Sequence, residues 1–297
     1  MKAVEFKMLT RKFSKITVLD SLTFSLDENK IIGLIGRNGA GKSTFLKICA
    51  GLIRPTSGDI RVFGEKVFDN INVLSRLVYI YDDMKFNDYL KLSDILELGP
   101  MYHKNWDSDL ALRLMKLFGL KDRVKYSKLS RGMKSMFNIV VGLSSQAQLT
   151  LLDEPTLGLD AAVRKDFYRI LLTDYMEHPR TIIISSHLLG ELENLLEEII
   201  LIDGGKLVLH RSAEELKNYG IYLNGRSDIV APFIKNKHVL NLQNLGNSMI
   251  AGIENNLSES ELSYLHDNNV DISRISMEDV CIYLTRKKGD EEIDDRQ

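Results

Sequence analysis

Only two cysteines stand in the 297 residues, Cys49 and Cys281, far apart and in no metal-ligand or redox spacing. That argues against a disulfide framework and against a zinc site. An excess of charge of either sign is also missing. The 39 lysines and arginines meet 41 aspartates and glutamates, a net charge of −2. No field therefore draws the whole chain to nucleic acid or anionic lipid. Long apolar runs are absent too: stretches such as TIIISS fall far short of the roughly 20 residues that a membrane-spanning helix needs. The opening MKAVEFKMLTRKF mixes charged with apolar residues and lacks the apolar core of a signal peptide. A soluble, cytoplasmic chain is expected. No internal repeat, heptad run or low-complexity tract is present. With 44% hydrophobic residues, the chain can build one large or two modest domains with a proper core.

Short apolar runs alternate with helix-period segments up to about Tyr219, which predicts an α/β layer architecture. Strands are expected at Ala3–Met8, Leu22–Leu26, Ile31–Ile35, Asp59–Val62, Leu77–Tyr81, Leu149–Asp153, Thr181–Ser185, Glu198–Ile202 and Lys206–His210. Helices are expected at Gly41–Gly51, Leu92–Tyr102, Ser108–Phe118, Arg131–Ser144, Ala161–Tyr175, Leu188–Glu193 and Ala213–Tyr219. The mostly helical stretch from about 83 to 145 interrupts the strand rhythm, as a helical subdomain would. Near Gly220 the pattern changes to short mixed segments. A first domain over 1–219, a small α/β appendage over 220–286 and a charged tail over 287–297 are therefore predicted.

The strongest chemical signal is IIGLIGRNGAGKSTFLKICAGL. An apolar strand runs into Gly36, Arg37, Asn38, Gly39, Ala40, Gly41, Lys42, Ser43 and Thr44, and an amphipathic helix follows. Glycines let the backbone wrap a phosphate with several N–H groups pointing inward. Lys42 can reach the β- and γ-phosphates, and the Ser43 hydroxyl can ligate Mg²⁺. A Gly-rich turn arising by chance would have neither the strand before it nor the helix after it. The sequence thus predicts a nucleoside triphosphate site.

AQLTLLDEP is a second strand ending in acid. Two acids at a strand end are more often solvated turn residues, but the phosphate loop upstream reverses that reading. Asp153 then suits a Mg²⁺-holding carboxylate, and Glu154 a base that takes a proton from water. TIIISSHLLGEL ends a third strand at His187, where a histidine can polarise the γ-phosphate. In SKLSRGMKSMF, Ser130 is placed to cap a helix. The same helix tip, with its exposed N–H groups, also suits an anion.

The ordered set GRNGAGKST, LSRGM, LTLLDEP, LGLD and SSH resembles the ATP-binding subunit of an ABC transporter, over about residues 1–219. The resemblance implies a P-loop NTPase fold, ATP and Mg²⁺ as cofactors and Mg-dependent ATP hydrolysis. It implies Gly36 to Thr44 around the phosphates, Ser43 and Asp153 on Mg²⁺, Glu154 as catalytic base and His187 as switch histidine. Phe13 falls where the family stacks an aromatic ring on adenine. Ser130 and Gly132 would meet the γ-phosphate held by a second subunit, and Asp160 would end the loop that crosses the dimer interface. The implied partners are a second ATP-binding subunit, in a homodimer or heterodimer, and a transmembrane subunit on a separate chain that holds this one on the inner face of the membrane.

Two departures mark the chain. LSRGM has Arg131 and Met133 where the family has glycine and glutamine, and Arg131 is expected to face solvent. Asp82, in RLVYIYDDMKF, stands where the family has a glutamine that touches Mg²⁺. It is either a third metal ligand or a solvated loop residue. LSRGM with the altered glutamine is most similar to the exporter-type Ytr subunits. Met84, Phe86, Tyr89 and Leu90 are either core of the helical subdomain or a groove for a helix of the membrane subunit.

In the appendage, HVLNLQNLGNSMIAGI reads as a strand pair about Gly-Asn, SESELSYLHDNN as a helix capped by Ser258 with Glu261, and SRISMEDVCIYLT resembles the LEDVF ending of many exporter subunits. Regulation, dimerisation and partner binding are all open to it. A soluble ABC factor acting on the ribosome is the alternative function, but such factors usually carry two ATP-binding halves and basic linkers. A chromosome-maintenance ATPase would need a long coiled coil, and a P-loop kinase would leave LSRGM and LGLD unexplained.

Overall fold

The computed structural model describes residues 1–187 and 189–286. The predicted charged tail, 287–297, and Leu188, the first residue of one predicted helix, lie outside them. In chain order the elements begin with β1 (Lys2–Phe13), β2 (Ile16–Asp27), β3 (Ile31–Ile35), α1 (Lys42–Cys49), β4 (Ser57–Val62), β5 (Glu65–Lys66), α2 (Ile71–Leu74) and β6 (Leu77–Tyr81). There follow α3 (Leu92–Tyr102), α4 (Ser108–Leu117), α5 (Arg131–Ser144), β7 (Leu149–Asp153), α6 (Ala161–Glu177), β8 (Thr181–Ser186), α7 (Leu189–Leu192), β9 (Glu198–Asp203), β10 (Lys206–Ser212) and α8 (Ala213–Lys217). The chain continues with β11 (Gly220–Arg226), α9 (Ser227–Ile234), β12 (Val239–Leu245), β13 (Ser248–Glu254), α10 (Glu259–Asp267), β14 (Asp271–Arg274) and α11 (Met277–Leu284).

Three sheets result. The central one has the order β10-β9-β3-β8-β7-β6. Its β9, β3, β8, β7 and β6 run parallel, and β10 folds back antiparallel on β9. The runs IIGLI, LTLLD and TIIISS are buried at every position. Unbroken apolar strands of this kind are covered on both faces by other layers. One face meets α5, α4 and the middle of α6, with Phe137 and Phe167 fully buried. The other meets α1 and the antiparallel sheet β2-β1-β4-β5, around Phe6 and Phe45.

The β1–β2 hairpin is longer than predicted, reaching Phe13 and restarting at Ile16. Its ladder carries several register shifts, which break the two-residue alternation that reveals a strand in sequence. The last sheet, β12-β13-β11-β14, has a small core of its own around Leu223, Val230, Ala251, Ile253 and Leu265. The predicted strand pair about Gly246 and the helix boxed by Ser258 and Glu261 are both present. Sequence reading did not foresee β11, α9 or β14: β11 carries polar and glycine residues, and α9 contains Pro232.

At the start of β9, Glu198 receives His210 Nε2 at 3.0 Å and pairs with the Lys30 ammonium. His210 first, and then Lys30, outweigh burial and hold the Glu198 carboxyl at about 2. A carboxyl depressed in the folded state stabilises above its unfolded value of about 4.3 and loses that contribution as pH falls through the folded value. Glu198→Gln is expected to cost roughly 1–3 kcal/mol near neutral pH. The difference from wild type should shrink on acidification toward about pH 2, which denaturant unfolding at the two pH values would measure.

Candidate nucleotide site

Apart from Ser130 and Gly132, the residues singled out for phosphate and Mg²⁺ chemistry lie at or just past the C-terminal end of a strand in the parallel sheet. The loop after β3 carries Gly36 to Thr44, β6 leads to Asp82, β7 ends in Asp153 and Glu154, and β8 leads to His187. Tyr81, Asp153 and Ser185 are register partners across three strands, and Ile35 is paired with Ser186. One sheet edge thus gathers four sequence-distant segments, at the place where open α/β sheets bind ligands.

The loop after β3 needs glycine on steric grounds. A Cβ at Gly36 would lie 2.3 Å from the Ile202 carbonyl oxygen. At Gly41, φ is +107° and a Cβ would lie 2.8 Å from the Val18 carbonyl oxygen, so a side chain is barred twice over. Gly41 is also the N-cap of α1 and offers no side chain to the helix. The first N–H groups of α1 stay uncapped toward the cleft, a ready anion site. The cleft, about 270 Å³, is lined by Val18, Arg37 through Thr44 and Glu154. Its donors and its Lys42 suit a polyphosphate. Lys42 is buried, with Nζ donating to the Gly36 carbonyl at 2.7 Å.

Glu154 lies beside this loop in the left-handed region, φ +48°, a conformation that a non-glycine residue holds only under constraint. The Ser185 hydroxyl accepts its N–H at 2.9 Å. Its carboxylate stands between two partners, Lys42 Nζ at 3.5 Å and His187 Nδ1 at 2.8 Å. Asp153 is buried; its Oδ1 accepts from Ser185 Oγ at 2.8 Å and its Oδ2 from Tyr79 Oη at 3.0 Å. Burial and then the Asp153 charge hold the Tyr79 phenol well above its ordinary pKa, so it stays a donor. One lone pair on each Asp153 oxygen remains for a cation. Among the described residues, no three histidine, cysteine or acidic side chains gather into a metal cage. That composition fits Mg²⁺, which takes one or two protein ligands and completes its shell with phosphates and water.

Tyr79, Ser185 and Val18 escaped the sequence reading. The signals for them were a phenol inside an apolar strand and the first serine of SSH. Val18, which lines the cleft, gave no signal.

Ser130 caps α5: its Oγ accepts the Met133 N–H at 3.3 Å, and the residue is exposed. Gly132 lies against the 156–160 turn, where a Cβ would sit 3.4 Å from the Gly158 carbonyl oxygen. Asp160 caps α6, accepting from Val163 N at 2.9 Å.

Arg131 is exposed, as its sequence context predicts, and it also has a partner. Its Nη2 meets Asp82 Oδ2 at 2.5 Å. The two departures from the family pattern are therefore one ion pair, joining the end of β6 to the tip of α5. Phe13 is not among the residues lining the cleft. It lies at the hairpin end, 41% exposed, with the Arg11 guanidinium 4.3 Å above its ring. Of the apolar group after Asp82, Met84, Phe86 and Leu90 pack into the core, Phe86 edge-on to Tyr126 with ring centres 4.9 Å apart. Tyr89 is 81% exposed.

Known proteins are similar to this chain. The ABC transporter family model matches residues 19–157. The bacitracin transport ATP-binding protein BcrA of Bacillus licheniformis is 34% identical over 70% of this chain and 69% of its own length. The ABC transporter ATP-binding protein YtrB of Bacillus subtilis is 28% identical over 72% of this chain and 73% of its own length. A solved ATP-binding subunit of an ABC transporter superposes with a TM-score of 0.65 at 26% identity, over 72% of this chain and 92% of that one. On the 34% identity to BcrA over 70% of this chain, and with Glu154 of the paired acids joining the phosphate loop to the strand-end histidine, the chain belongs to the ABC transporter ATP-binding proteins and is a nucleotide-binding ATPase of transport.

Proposed function

We propose that this chain is the ATP-hydrolysing subunit of a membrane transport complex whose spanning subunit is a separate polypeptide. No helix among the described residues is long and apolar enough to cross a membrane. The observation that carries the hydrolytic reading is the Glu154 carboxylate held between Lys42 and His187 at the mouth of the phosphate loop. Backbone N–H groups of Gly39 to Thr44 and the Lys42 ammonium would bind and orient the β- and γ-phosphates. Glu154 takes the proton of the attacking water, and His187 orients Glu154 and the γ-phosphate. Mg²⁺ entering with ATP would be held by Ser43 and Asp153, and would supply neutralising charge at the β- and γ-oxygens. Ser130 and Gly132, remote in sequence from the loop and at an exposed helix tip, serve the γ-phosphate bound by a second copy of the chain, with Asp160 at the contact between the copies.

Asp82 joins the metal set only when Arg131 releases it. Arg131→Gln is therefore expected to lower the Mg²⁺ concentration for half-maximal ATPase by roughly two- to five-fold, the scale of losing one exposed ion pair. Asp82→Gln should remain active and respond little to the same change. Superimposed Mg²⁺ titrations of all three proteins would make Asp82 a loop residue with no part in metal binding.

The partner reading rests on Tyr89, whose exposed ring stands in the loop between β6 and α3, three residues after Phe86, which packs against the core. A photo-crosslinker at position 89 should capture a membrane-embedded polypeptide in membranes from the native host. Crosslinks to ribosomal or other soluble proteins alone would favour the soluble-factor reading instead.

A further inference from the structure

The four-residue helix α7 begins two residues after His187. A helix this short does not hold itself, and side chains from two other elements hold it. From α6, Arg164 forms a two-point pair with Glu191, Nε to Oε2 at 3.0 Å and Nη2 to Oε1 at 2.8 Å. The same guanidinium donates through Nη1 to the Leu159 carbonyl at 3.0 Å, which ties α7 to the turn ending at Asp160.

The other support comes from the last described helix, α11. Glu278 Oε2 accepts the Gly190 N–H at 3.1 Å. A Cβ at Gly190 would lie 2.7 Å from that oxygen, so glycine is what admits the carboxylate. Beneath this bond, Met277, Val280 and Cys281 of α11 are buried in the same core as Leu189 and Leu192 of α7. The helix is tied equally to the C-terminal sheet. Tyr283 Oη meets Tyr222 Oη of β11 at 2.7 Å, and the Ile275 N–H donates to the Gly220 carbonyl at 3.0 Å.

We propose that α11 is a positioning element of the hydrolytic site: through Glu278 on Gly190 it fixes α7, and so sets where His187 stands against Glu154. The inference rests on the reading of Glu154 and His187 as the hydrolytic pair. It gives the C-terminal sheet a direct line to turnover, because any shift of that sheet carried by Tyr283 and Ile275 moves the support of α7. Glu278 is not among the residues that line the phosphate cleft. It acts through backbone that follows His187.

The test is steady-state ATPase of the full chain carrying Glu278→Ala, Glu278→Gln, His187→Ala and the double change Glu278→Ala with His187→Ala, with thermal midpoints alongside. Glu278 is half-buried and its replacement leaves Met277 and Val280 in the core, so the variants should fold. Glu278→Ala should lower kcat about three- to ten-fold with KM for ATP within about two-fold, because positioning for chemistry is lost and binding is not. Glu278→Gln keeps an acceptor oxygen for the Gly190 N–H and should restore most of the rate. The double variant should be no slower than His187→Ala alone, since coupled residues are non-additive. Wild-type kcat in Glu278→Ala, or losses that multiply in the double variant, would overturn the inference. Wild-type turnover in His187→Ala would instead overturn the hydrolytic-pair reading on which it rests. Should Glu278→Ala unfold, the same comparison is made with Glu278→Gln and Gly190→Ala. The latter drives a methyl into the carboxylate, and unchanged kcat there would equally overturn the inference.

Discussion

Glu154→Gln is expected to lower ATP turnover by about 10²–10⁴-fold, the range over which a positioned general base contributes. Glutamine has nearly the same shape and keeps a hydrogen bond to His187, but it cannot take the proton of water. Glu154 also stands 3.5 Å from Lys42 Nζ, where its charge competes with phosphate for the ammonium. Removing that charge leaves Lys42 to the nucleotide, so ATP should bind as tightly as in wild type or more tightly. Phosphate release and equilibrium ATP binding measure the two halves. Turnover within ten-fold of wild type would remove Glu154 from the role of base.

Lys42→Ala should lose both. The ammonium is buried at the base of the loop with Gly36 and Glu154 as its neighbours. Among the described residues, Arg37 is the other cation that lines the cleft, and it is exposed rather than buried at the base of the loop. Loss of a charge-assisted contact to phosphate in a partly desolvated cleft should cost about 10²-fold or more in hydrolysis and roughly ten-fold in ATP affinity. The fold should persist, since the loop shape depends on Gly36 and Gly41 and on the helix that follows. Equal ATPase rates in the purified variant and wild type would refute the phosphate-site assignment.

The central strands were legible because burial on both faces writes itself as unbroken apolar runs, and Ile31–Ile35, Leu77–Tyr81 and Leu149–Asp153 fall at the predicted residues. The helices α3 and α5 also match their predicted bounds, α5 because Ser130 marks its start chemically. What sequence could not show was the pairing of residues that are distant in the chain. Arg131 and Asp82 were each recognised as unusual, yet nothing in one dimension says that the two meet. Tyr79 and Ser185 likewise acquire meaning only when strand register sets them against Asp153. Phe86 was one of four apolar residues in a polar setting, and only the packing of Tyr126 and Phe137 around it assigns it to the core and leaves Tyr89 outside.

A nucleotide site completed by a second copy of the chain is the central claim, and size-exclusion chromatography of Glu154→Gln with ATP and Mg²⁺ tests it most directly. The variant should elute as a dimer with nucleotide and as a monomer without it, and adding Ser130→Arg should return it to monomer by filling the place of the partner's γ-phosphate. Elution as a monomer under every nucleotide condition would contradict the account.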